Sequence, residues 1–170
     1  MMKIETMEDL FLEQVEDLYD AEHRLVKALP KMAEASTSLS LRQAFESHLM
    51  ETEGHVLRLE NVFRLLGQEP KSQTCDAMKG LISEGEDLIG SIDESSLRDA
   101  GLIAAANRVE HYEIAAYGSA RTFADILGLP EAVALLDQTL QEEKKADQKL
   151  THLAESMIND RALTSPVSER

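Results

Sequence analysis

Tryptophan is missing from this 170-residue chain, and tyrosine and phenylalanine together contribute only seven residues, so aromatics make up 4% of it. Proline is also scarce, with four residues, while Ala, Leu, Glu and Lys abound. That is the composition of an all-α protein. The single cysteine, Cys75, excludes an intrachain disulfide framework and a thiolate metal knot, so a reducing, cytoplasmic setting is expected. Positive charge is short as well: 17 Lys and Arg against 32 Asp and Glu leave a net charge of −15. Such a chain repels nucleic acid and anionic membranes and suits the capture of cations. No segment approaches the apolar length of a membrane span, and acids stand near the N-terminus where a signal peptide has its apolar run.

What is present is helical spacing. Leu10, Phe11, Gln14, Leu18, Ala21, Leu25, Leu29 and Met32 form one stripe behind Thr6, predicting a first helix over residues 7–35. Pro30 is expected to kink or locally break its last turns, because it removes a backbone donor and crowds the preceding turn. After a turn at 36–40, Leu41, Phe45, His48, Leu49, Thr52, Val56, Leu59, Phe63 and Leu66 make a second stripe that ends at Gly67. From Gln68 to about Leu97 the pattern weakens into a long connection holding a short helix. A third long helix runs from Leu102 to Leu127 and closes at Gly128. A fourth runs from about Glu131 to about Met157. Residues 1–160 are thus read as one domain of two antiparallel hairpins joined by a crossover, the connectivity of a ferritin-like four-helix bundle, with 161–170 as a frayed tail.

Acids recur at matching depths in these hairpins. With a turn near Thr37, Glu22 lies fifteen residues before it, Glu51 fourteen after and His55 eighteen after. With a turn at Gly128 to Pro130, Glu113 and Glu143 are each about fifteen residues away, and Glu110 and Asp147 each about eighteen. At a rise of about 1.5 Å per residue, these side chains come level. Converging buried carboxylates repel one another and lose hydration, so they require protons, cationic partners or metal. A two-metal site is the most economical answer. Glu113 and Glu22 sit within apolar arcs, Glu143 sits near the centre of its own arc, and Glu51 lies at an edge. His48 rivals His55, and Glu142 rivals Glu143. The tyrosines are read as packed residues with satisfied hydroxyls, the methionines as core filler, and Cys75 as inert.

The stretch Val109-Glu-His-Tyr-Glu-Ile-Ala-Ala-Tyr-Gly118, preceded by Asp99-Ala-Gly-Leu-Ile-Ala-Ala-Ala106, resembles the bacterial YciE/YciF ferritin-like proteins. Tyr19-Asp-Ala-Glu22, His48-Leu-Met-Glu-Thr52, Cys75-Asp-Ala-Met78 and Thr139-Leu-Gln-Glu-Glu-Lys144 fall in that family's order. The likeness runs from about Thr6 to about Met157. It implies a ferritin-like bundle related in plan to rubrerythrin and manganese catalase, an association with stress, and small oligomers, a homodimer first. It also restores Glu51 as a ligand candidate. The chain departs from the typical Glu-x-x-His of the second helix, since Gly54 stands three residues after Glu51 and His55 one further.

The expected ligand set is therefore Glu22, Glu51, His55, Glu110, Glu113, Glu143 and Asp147. So much carboxylate suits two iron or manganese ions better than copper or zinc. The function expected first is reaction with peroxide or oxygen in protection against oxidative stress. Iron oxidation and storage is a second possibility, and a structural or partner-binding bundle a third.

Overall fold

The computed structural model describes residues 3–164, and among these all regular structure is helical. The long helices are α1 (Met7–Ala35), α2 (Leu39–Leu65), α4 (Ser96–Ile126) and α5 (Pro130–Leu153). A shorter α3 (Asp76–Ser91) lies in the crossover, and α6 (Asn159–Thr164) follows α5. The main pairings are α1 with α2 and α4 with α5. The two hairpins meet through α2 against α5 and α1 against α4, and α3 lies against α4 and α1.

Each helix end has a local cause. Thr6 and Asp9 form a reciprocal capping box at the start of α1. Ser38, Cys75 and Ser95 cap α2, α3 and α4 through their side chains. Gly67 and Gly128 have φ of 65° and 69°, the left-handed conformation that glycine adopts without a steric penalty. Bonds from Gln68 N–H to Phe63 O and from Leu129 N–H to Ala124 O then tie off α2 and α4. Pro130 opens α5, where a missing donor costs nothing.

Pro30 does not break α1, which is helical to Ala35. Pro30 is exposed while Leu29 and Ala33 beside it are buried, so packing of the flanking turns carries the helix past the lost bond. Helix α4 starts at Ser96, before its apolar stripe, because Ser95 supplies the cap. Beyond Leu153 the chain widens into one turn, Ala154–Ile158, with Asn159 N–H bonded five residues back to Ala154 O, and this turn keeps Ile158 buried. Helix α6 then takes in the first residues of the expected tail, and 165–170 lie outside the described residues.

The turn between α1 and α2 is clamped from α4. Asp99 accepts from Thr37 N–H (2.8 Å), the Thr37 hydroxyl and Ser38 N–H (2.9 Å), while Arg98 donates twice to Ala35 O. Removing this buried carboxylate orphans two backbone donors. D99A is accordingly expected to cost about 2–3 kcal/mol of unfolding free energy, read by denaturant titration. An unchanged midpoint would show that the clamp is incidental.

Two apolar clusters fill the bundle. One centres on Leu25, Leu29, Leu41, Phe45, Leu102 and Val109, the other on Phe11, Leu18, Leu59, Phe63, Tyr117 and Leu136. Along every long helix the residues between the clusters are polar: Glu22 on α1, His48, Thr52 and His55 on α2, Glu110 and Glu113 on α4, and Glu143 on α5.

Candidate metal centre

This polar layer consists of two donor groups that share a residue. Glu22, His55 and Glu143 each place a ligand atom within 4.8 Å of the others, and so do His48, Glu110, Glu113 and Glu143. All six are buried; Glu22, His55, Glu113 and Glu143 have no exposed surface. His48 and His55 are seven residues apart, two turns of α2, so both face inward, with ring centroids 6.2 Å apart.

Each histidine is oriented from behind by a carboxylate. His48 Nδ1 lies 3.1 Å from Glu51 Oε2, and because a carboxylate can only accept, Nδ1 carries the proton. Nε2 is left facing Glu110 Oε1 at 3.4 Å and Glu143 Oε2 at 3.5 Å. His55 is turned the other way: Nε2–H donates to Glu142 Oε2 at 2.9 Å, and Nδ1 faces Glu143 Oε1 at 2.8 Å and Glu22 Oε1 at 3.3 Å. Arg58 holds Glu142 through both Nη atoms, at 2.6 and 3.0 Å. Such carboxylate–histidine pairs fix the tautomer and aim the free nitrogen at a metal. On the opposite side Tyr117 donates a short hydrogen bond to Glu22, leaving Glu22 Oε2 free.

The inward atoms lack hydrogen-bond partners. His48 Nε2, His55 Nδ1, Glu22 Oε2, Glu110 Oε2 and both oxygens each of Glu113 and Glu143 are buried without one. The 2.8 Å approach of His55 to Glu143 has the distance of a hydrogen bond without its alignment. Orphaned groups of this kind are costly and rare in native interiors. Here the orphans, the Thr52 hydroxyl apart, are carboxylate oxygens and imidazole nitrogens gathered at one place, so this donor set fits metal.

Electrostatics follow from burial. Loss of hydration pushes the Glu113 and Glu110 carboxyls well above the usual carboxylate range, and the charges of Glu143 and Glu22 add to it. Glu22 is pushed up by burial against the pull of His55. Burial also opposes charge on Glu143, but His55 and His48 outweigh it and hold this carboxyl low. Burial disfavours the imidazolium of His55, yet the carboxylates of Glu143 and Glu22 beside it prevail and raise its pKa to about 10. Without metal the layer is thus made tolerable by protons on Glu110 and Glu113 and by a charged His55.

Groups with raised pKa values bind more protons folded than unfolded. Glu110 and Glu113 do so above the ordinary value of 4.5, and His55 does so between 6.5 and about 10. Stability of chelated protein should therefore fall as pH rises through that range. The measurement is the melting temperature with chelator between about pH 6 and about pH 9. A flat or rising profile would contradict the assigned protonation.

Of the residues singled out in the sequence, Glu22, His55, Glu110, Glu113 and Glu143 converge in the layer. Glu51 and Asp147 stand outside it. The Glu51 side chain is 44% exposed and lies behind His48. Asp147 turns away to accept from Asn107 Nδ2 at 2.6 Å and to meet His111. Glu142, the rival to Glu143, is the outer partner of His55. His48 belongs in the layer together with His55, so the two are complementary. Thr52, with no exposed surface and an unpartnered hydroxyl, was legible only as part of the apolar stripe.

Ferritin-like di-iron bundles place a Glu on each of two helices and a Glu-x-x-His on each of the other two. Here α2 carries Thr52-x-x-His55 and α5 carries Glu143-x-x-Ala146. Set against that pattern, α2 has Thr52 in place of the carboxylate and α5 has Ala146 in place of the imidazole. His48, one turn before Thr52, places a second ring nitrogen beside Glu110, Glu113 and Glu143 from across the bundle.

Cys75 is buried, caps α3 and approaches the Tyr112 hydroxyl at 3.0 Å, while Tyr112 donates to Asp17. Burial pushes the thiol pKa up, so it stays protonated at neutral pH.

Comparison with known proteins places these features in context. The family model DUF892, a domain of unknown function, matches residues 6–163. Protein YciF of Escherichia coli strain K12 is 45% identical over 162 residues, 95% of this chain and 98% of that protein. The crystal structure of the E. coli stress protein YciF superposes with a TM-score of 0.88 over 92% of this chain and 99% of that one. A Bacillus anthracis structure described as ferritin-like, diiron-carboxylate shares the fold at TM-score 0.67 and 17% identity, over 88% of this chain and 99% of its own.

Proposed function

Because the chain belongs to the DUF892 family and has a ferritin-like fold, we propose that its polar layer holds two iron or manganese ions and serves reaction with a small oxidant under stress. The observation that carries this reading is the set of buried, unpartnered ligand atoms that divides into two groups around Glu143. A purely structural bundle gains no stability from such a layer. Two nitrogens and four carboxylates form a hard, oxygen-rich set that suits iron or manganese. Bound there, the pair of ions would supply electrons one at a time from each to peroxide or oxygen.

The residues divide the work. Glu22 and His55 would hold one ion, His48, Glu110 and Glu113 the other, and Glu143 both. Glu51 and Glu142 keep the imidazoles aimed, Tyr117 holds Glu22, and the apolar clusters above and below exclude water and larger reductants. Protons now on Glu110, Glu113 and His55 Nδ1 must leave as metal enters, so loading releases acid.

The test is metal content per chain in protein purified without chelator, repeated after anaerobic addition of Fe(II) or Mn(II). Near two ions per chain, with peroxide or oxygen consumed by the loaded protein, supports the reading. Little metal after loading overturns it in favour of a structural bundle. E142A should bind metal about 10- to 100-fold more weakly while remaining helical, as is usual when the partner behind a ligating histidine is lost. Unchanged affinity would remove Glu142 from this role.

A further inference from the structure

The missing imidazole on α5 leaves space. Between α2 and α5 lies a cavity of about 70 Å³ lined by Phe45, His48, Glu110, Ala146 and Leu150, with Ser47, Glu51, Lys145 and Lys149 at its outer rim. Ala146, which lines this cavity, holds the position where the Glu-x-x-His pattern has its histidine. His48 is 5% exposed, and its unpartnered Nε2 lies at the inner end beside Glu110.

We infer that this gap is the port through which a small neutral oxidant, of the size of dioxygen or hydrogen peroxide, reaches the polar layer. The inference rests on the functional reading above and assigns the route by which its oxidant arrives. Size sets the first condition: a cavity of about 70 Å³ has room for a molecule of the size of dioxygen or hydrogen peroxide. Charge sets the second. In a chain of net charge −15, two lysines and one glutamate at the rim make a locally positive mouth, unsuited to metal cations. The wall formed by Phe45, Ala146 and Leu150 is apolar and suits dioxygen, while His48, Glu110 and the rim side chains offer partners to the hydroxyls of peroxide. Two substitutions test the port without touching a donor. Ala146→Leu fills the cavity from within, and Ser47→Trp covers it from an exposed rim position.

Dissolved dioxygen is paramagnetic and serves as the probe on the full chain without metal, read as NMR relaxation enhancement of the His48 and His55 ring protons. The expected result is stronger enhancement at His48 than at His55, reduced to the His55 level in both variants at unchanged helicity. Equal enhancement of the two rings in the unmodified protein, or enhancement at His48 that survives both substitutions, overturns the port. Metal uptake by separate aliquots of the same proteins, loaded anaerobically with Fe(II) or Mn(II), separates this inference from the functional reading. Loss of His48 enhancement in protein that takes up no metal keeps the port and defeats the metal site, and full loading with unaltered enhancement does the reverse.

Discussion

Replacing Glu143 with glutamine is expected to empty both metal positions together. Its Oε1 lies 2.8 Å from His55 Nδ1, its Oε2 lies 3.5 Å from His48 Nε2, and it is the residue common to the two donor groups. Glutamine keeps the shape and removes the charge, leaving one neutral oxygen where two anionic ones converge. Loss of an outer partner of a ligand typically weakens metal binding by about 10- to 100-fold, so loss of the shared ligand should exceed that at both positions. Elemental analysis after dialysis should then find close to no bound metal, whereas E22Q should still retain the ion held by His48, Glu110 and Glu113. Retention of two ions per chain by E143Q would show that the groups do not share this carboxylate.

The second large effect has the opposite sign for stability. Glu113 has no exposed surface, both its oxygens lack hydrogen-bond partners, and burial holds its carboxyl in the protonated form. Leaving a polar group buried and unpaired costs about 1–3 kcal/mol, so E113L should stabilise chelated protein by roughly 2 kcal/mol. At about 2–4 °C per kcal/mol for a chain of this size, the melting temperature should rise by roughly 6 °C. The same change removes a donor from the four-residue group, so added metal should stabilise E113L less than the unmodified chain. A gain in thermal stability coupled to a loss of function is the pattern expected where a residue is kept for its chemistry. Chelated E113L melting below the unmodified protein would refute the view that Glu113 is strained without metal.

Sequence periodicity goes further toward the helices than toward the ligands. The spacing of Leu18, Leu25 and Leu29, or of Phe45, Leu59 and Phe63, specifies helices and their buried faces, and Gly67 and Gly128 mark their ends. Distance from a turn specifies how deep a residue sits, which is why Glu22, Glu113 and Glu143 stand out as level. Rotation about the helix axis is less legible at the margin of a stripe. Glu51 and Thr52 are neighbours at one level, yet Thr52 is buried and Glu51 points outward to His48. Asp147 and Ala146 pose the same problem on α5. A turn of about 100° between successive residues decides which member of each pair faces inward, and that angle is set by packing of α2 against α1 and α5 and of α5 against α4 and α2. The seven-residue interval from His48 to His55 was the available signal that both face one way. Pro30 shows the converse, a local rule overridden by the packing of its neighbours.

The charged slab between two hydrocarbon halves also bears on which arrangements of the helices are possible at all. A bundle joined by leucine and alanine alone has many near-equivalent ways to slide or roll one helix against another. Here, advancing α2 by a single residue would replace His48, Thr52 and His55 with Leu49, Glu53 and Val56. That shift would strand Glu22 and Glu143 without a cation and drive another acid inward. Rolling α4 would push Glu110 or Glu113 into the hydrocarbon of a neighbouring half. Each slipped packing is penalised far more than the correct one, which widens the energy gap between the native arrangement and its decoys. The residues that weaken the metal-free fold are also those that keep it single-valued.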